Sequence, residues 1–85
     1  MKYLVKTTYT ATADHPYEAE GTKQVWYTGK GGVVHSTMEA FVNGWGCDGW
    51  NRRHFAEKHR EDQLEFHYKF SQHEAWDIDI EIIEY

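Results

Sequence analysis

One cysteine, one proline, and no Lys or Arg after Lys69 are what this 85-residue chain offers in place of several common devices. With Cys47 alone, no internal disulfide can form. The sequence opens without a basic segment followed by an apolar stretch, and neither end carries a lipidation signal. No apolar run approaches the roughly 18 residues of a membrane span. The expectation is a cytoplasmic protein. The six histidines do not fall at i and i+4, since His54 and His59 are five apart, and Cys47 has no second cysteine nearby, so no metal motif is matched. The stretch TGKGG lacks the GxxxxGK spacing of a phosphate loop, and Gly31 stands where Ser or Thr belongs. Nothing implies a cofactor, and no catalytic constellation can be assembled.

What is present is aromatic and acidic. Fourteen Trp, Tyr and Phe in a single domain spanning 1–85 supply a dense core, with more aromatic surface than so small a sphere hides, so an exposed aromatic patch is expected. The net charge of −5 is localised: residues 1–70 carry nine cations and nine acids, whereas residues 71–85 add Glu74, Asp77, Asp79, Glu81 and Glu84 with no cation.

The pattern predicts an α+β fold, an antiparallel sheet in chain order ββ(β)ααββ with two helices packed on one face. KYLVKTTYTAT and KQVWYT read as strands from their aromatic and β-branched content, and ADHPYEAEGT as a loop. TGKGG reads as a hairpin turn before VVH. Ser36 and Glu39 have capping-box spacing for a short helix buried through Met38, Phe41 and Val42. Asp48 is the candidate cap of a second helix running to about Asp62, with Phe55, Ala56 and His59 on one side. LEFHYKF (64–70) and AWDIDIEIIEY (75–85) both alternate, and predict a terminal hairpin. Its register sets Phe66 against Ile80 in the core, with Lys69 against Asp77, His67 against Asp79 and Glu65 against Glu81 outside. A carboxylate beside His67 would raise its pKa.

Three site readings follow. The first is the acidic row of the last strand, Asp77, Asp79, Glu81 and Glu84 with Glu74. Evenly spaced carboxylates imitate a line of phosphates and attract a basic cleft, while the same row on a solvated face would only guard an edge strand. The second is the basic segment Arg52, Arg53, Lys58 and Arg60, interleaved with Trp50 and Phe55 in the manner of nucleic-acid surfaces, but threaded with Glu57, Glu61 and Asp62. Direct nucleic-acid binding is disfavoured by the overall negative charge. The third is a thiolate enzyme built on Cys47 with His54 or His59.

In size, acidity, aromatic content and lack of a catalytic constellation, the chain resembles the small phage-encoded inhibitors of bacterial defence nucleases, anti-CRISPR proteins among them. That resemblance implies a non-enzymatic inhibitor that docks its acidic strand face onto the basic, nucleic-acid-binding surface of a protein partner, with no membrane involved.

Overall fold

The first and last strands of this protein lie side by side. The computed structural model describes residues 1–46 and 48–85, and its elements in chain order are β1 (Tyr3–Ala11), β2 (Lys23–Thr28), β3 (Val34–His35), α1 (Met38–Asn43), α2 (Arg53–Lys69), α3 (Gln72–Ala75) and β4 (Trp76–Glu84). The four strands form one antiparallel sheet in the order β3-β2-β1-β4. The fold is α+β, as the pattern predicts. The chain order differs in two places: the expected SQHEA loop holds the four-residue α3, and the expected strand 64–70 is the end of α2 with its cap Phe70.

α2 runs unbroken through that segment for a physical reason. No Gly or Pro follows Gly49, so nothing between Arg53 and Lys69 interrupts a stretch rich in Glu, Lys, Arg, Gln and Leu, all good helix formers. The buried positions Ala56 and His67, with half-buried His59, Gln63 and Leu64 between them, follow the 3.6-residue period. The helix stops where Ser71 takes a left-handed conformation (φ 56°, ψ 24°), and the Phe70 and Ser71 amides donate to the Phe66 and Tyr68 carbonyls. The predicted terminal hairpin is therefore replaced. β4 pairs with β1 instead, Ile80 facing Thr7 and Ile82 facing Val5. Phe66 is 49% exposed and lies against Phe70, the rings tilted by 51° with centroids 4.7 Å apart.

The sheet buries apolar side chains on both faces. On one, Val5 and Ile80 meet Ala56 of α2, flanked by Tyr3, Trp50, Leu64, Ile78 and Ile82. On the other, at the Leu4 end, α1 brings Phe41 against Tyr85 and His35, with ring centroids 5.6 and 5.7 Å apart. The strand parity of Leu4, Tyr85 and His35 is that of Lys6 and Glu81, opposite to Val5 and Ile80. The two larger helices thus cover opposite faces, where one shared face was expected: α1 has only six residues and caps a corner, leaving most of its face open.

Local chemistry moved two caps. α1 starts from Thr37, whose hydroxyl accepts from the Ala40 amide at 3.0 Å, not from Ser36. α2 starts after Arg52 without a side-chain cap, while Asp48 receives the Lys2 ammonium at 3.4 Å. Between them Trp50 exchanges both backbone hydrogen bonds with Tyr3 at 2.9 Å, an isolated bridge that extends the sheet. The TGKGG turn does join β2 to β3. Its Gly29 is required by crowding, since a Cβ there would run into the Asp48 carbonyl and the Phe41 ring.

Candidate functional site

β4 is an edge strand, and over residues 77–82 its two faces differ in kind. Ile78, Ile80 and Ile82 point toward α2, while Asp77, Asp79 and Glu81 point to the face that α1 leaves open. Across the ladder these acids sit beside Thr10, Thr8 and Lys6, and beyond those lie Lys23, Val25 and Tyr27 of β2. The sequence-expected partners Lys69, His67 and Glu65 are on α2, so none of the three outer pairs exists. Lys6 does not neutralise Glu81: its ammonium lies over the Tyr27 ring, 6.0 Å from the centroid. Asp77, Asp79, Glu81 and Glu84 are exposed, as is Glu74 of α3, but Glu84 pairs with Tyr3 in the ladder and has the parity of Ile78, Ile80 and Ile82, so it stands on the α2 face, apart from the row it was expected to extend. Among the described residues, ion pairs join only Lys2 to Asp48 and Arg53 to Glu57, so all five carboxylates are unpaired.

The backbone of β4 is also available. Lys2 and Tyr85 exchange both amide bonds, at 2.9 and 2.8 Å, which sets the alternation along the ladder. Ile83, Glu81, Asp79 and Asp77 therefore bond to β1, and the N–H and C=O groups of Ile78, Ile80 and Ile82 face the free edge. One of these is taken: Arg60 donates from Nε to the Ile80 carbonyl at 2.7 Å. Edge strands carry a standing risk of adding a foreign strand, and a charged side chain bonded across the edge reduces it.

That contact also shows where the basic segment goes. Arg53 and Arg60 share the α2 flank beside β4, lining a groove of about 280 Å³ with Glu57, Glu61, Ile80 and Ile82. Arg53 donates to Glu57 at 3.0 Å. Lys58 lies on the opposite flank, with Lys30, Trp50 and Phe55. Arg52, Arg53, Lys58 and Arg60 do not converge on one surface, because successive helical positions are 100° apart. The role of Arg60 as an edge guard had no signal in the sequence, where it reads as one more cation in a mixed run.

The histidines separate into buried and surface groups. His67 is 6% exposed on the sheet-facing side of α2, where Nε2 shares a 3.2 Å hydrogen bond with the Tyr9 hydroxyl, and Nδ1 has no partner. Burial lowers its pKa, the reverse of the direction expected from an Asp79 neighbour, and burial raises that of Tyr9. His59 packs on Trp50 with ring centroids 5.0 Å apart, and burial lowers its pKa against an opposing pull from Asp62. No three His, Cys, Asp or Glu side chains among the described residues converge as a metal-holding group. Cys47 lies outside the described residues, so the thiolate reading has no geometry to stand on.

The expected exposed aromatic surface is present on α2 and beyond it, at Phe55, Phe66, Tyr68 and Phe70. No helix among the described residues is long and apolar enough to cross a membrane. Compared with known proteins, the chain matches no family model, no curated protein and no solved structure.

Proposed function

We propose that this protein is a binding module that docks the acidic face of β4 onto a basic, nucleic-acid-binding surface of a partner protein, a nuclease of a bacterial defence system being the class its type suggests. The observation that carries the reading is the coincidence, on one edge strand, of exposed and unpaired carboxylates with outward-facing backbone groups. Alternate residues of a strand are about 6.8 Å apart, so Asp77, Asp79 and Glu81 form a regular anionic row. Lys and Arg that otherwise grip a phosphate backbone can pair with such a row, and long-range attraction speeds the encounter. The rigid ladder to β1 holds the row straight at little entropic cost on binding.

The test uses charge reversal. Asp77→Lys/Asp79→Lys changes two exposed side chains, so the variant stays folded, each site shifting stability by about 0–1 kcal/mol. Partner binding falls by several kcal/mol, roughly 3 or more, as like charges are driven together. Wild-type association slows steeply as salt rises from low to physiological strength. Arg52→Glu/Arg53→Glu leaves the interaction nearly unchanged. Pull-downs from bacterial lysate at low and high salt supply the partner, and a binding assay with it in which the Arg pair is essential and the Asp pair dispensable overturns the proposal.

A further inference from the structure

A cleft on the far side of α2 from β4 is independent of the docking surface. α2 lies over β1 and β4, so the helix-side face of β2 has no roof. Trp26, paired with Thr7 in the ladder and pointing the same way, remains 37% exposed. The helix flank that overlooks it carries Phe55, Lys58, His59, Asp62 and Gln63, which at i, i+3, i+4, i+7 and i+8 make one continuous stripe. The stripe borders two lobes, one of about 540 Å³ on the Trp26 side (the inner) and one of about 510 Å³ on the Trp50 side (the outer), and His59 lines both. Each falls within the roughly 300–1,000 Å³ of small-molecule sites.

We propose that this cleft binds a nucleoside monophosphate group, with the base in the inner lobe and the phosphate at the outer one. The inner lobe offers hydrogen bonding without charge: the hydroxyls of Thr7 and Thr28, the Trp26 indole and the Gln63 amide. None of these side chains bonds to another described residue. Thr7, 8% exposed, lines this lobe beside Trp26. His59 adds an imidazole that burial keeps neutral near pH 7. The Trp26 ring supplies a face on which a flat base can stack. A planar ring with donors and acceptors on its rim fits this lining better than an aliphatic ligand, which would leave those groups unpaired.

The outer lobe has the complementary charge. Lys30 and Lys58 line it, and neither is in an ion pair. Asp62 lines it too, setting one carboxylate against two ammoniums, so the mouth suits a single phosphate better than a polyphosphate. Trp50 and Phe55 line this lobe as well, and Trp50 packs against the shared His59 with ring centroids 5.0 Å apart. The phosphate can belong to a free nucleotide or to the end of a single strand, since both present the same group.

The experiment is an NMR titration of the full chain followed at the Trp26 and Trp50 indole N–H signals, with AMP, GMP, CMP and UMP, the matching nucleosides, and inorganic phosphate as probes. At least one nucleotide gives saturable shifts of both signals, its nucleoside binds about tenfold or more weakly, and phosphate alone produces neither shift. Lys30→Ala/Lys58→Ala lowers nucleotide affinity to that of the nucleoside and leaves nucleoside binding unchanged. Thr28→Val, a near-isosteric change, weakens both. A tetranucleotide binding more than about tenfold tighter than the mononucleotide identifies a strand end, and equal or weaker binding a free nucleotide; either supports the site. Absence of saturable shifts at about 10 mM in a protein with an intact folded spectrum overturns the proposal, as does phosphate alone reproducing them.

Discussion

Residues 64–70 and 76–82 carry the same alternation of apolar and polar side chains, yet the first is the end of α2 with its C-cap Phe70 and the second is the body of β4. In β4 the alternation does what it advertises, burying the isoleucines and exposing the acids. In α2 it is nearly inverted: Phe66, Tyr68 and Phe70 are exposed, and the polar His67 is buried. On a helix the seven alternating residues regroup at i, i+3 and i, i+4, here Phe66 with Phe70 on the exposed side and Leu64 with His67 on the covered side. What separates the segments is side-chain shape and flanking chain. Ile78, Ile80 and Ile82 are β-branched and lose rotamer freedom in a helix, whereas Leu64, Glu65 and Lys69 do not.

The comparison breaks most visibly at two apolar positions that a hairpin would have paired. Ile80→Ala opens a cavity beside Val5 and Ala56 and costs about 2–5 kcal/mol, because Ile80 is 3% exposed. Phe66→Ala removes a half-exposed ring and costs about 1 kcal/mol. Urea unfolding of both variants measures the gap, and equal losses would restore the hairpin.

Proline probes the backbone instead. Glu65→Pro removes an interior helical amide and clashes with the preceding turn, costing about 3 kcal/mol, while Glu65→Ala is neutral within about 0.5 kcal/mol. Circular dichroism at 222 nm should show loss of helix only in the proline variant.

The smallest effect concerns the inverted residue itself. His67 has its folded pKa below the ordinary value near 6.5, so in the window between the two the unfolded chain binds more protons. Stability is therefore full above about pH 6.5 and is lost as pH falls through that window. A carboxylate neighbour would have given the opposite slope. NMR titration of the His67 ring fixes the direction, and in urea unfolding at pH 5 and 7.5 the His67→Gln variant shows a smaller pH dependence than wild type.

Much of the fold was legible. β1, β2, the glycine turn and β4 follow from β-branched and aromatic alternation with turn residues between, and the shared face of Asp77, Asp79 and Glu81 follows from parity along β4, which leaves the expected Glu84 on the other face and Glu74 in α3. The reach of α2 was hidden by the alternation of 64–70, although the lack of Gly or Pro beyond Gly49 was the available signal. The cap at Thr37 was one residue from the expected Ser36, a choice that two adjacent hydroxyl residues leave to local geometry. The cleft was not legible, because Trp26, Thr7 and Gln63 come from three elements with no shared motif.

Local pattern and charge count determined that an acid-bearing strand would end this chain, since period-two alternation and the missing cations are properties of adjacent residues. Only the tertiary structure decided that this strand is an edge, that β1 is its neighbour, that Arg60 guards its centre, and that α2 leaves β2 uncovered. Pairing partners and helix placement depend on burying Val5, Ala56 and Ile80 together, and that apolar contact joins residues far apart in the chain.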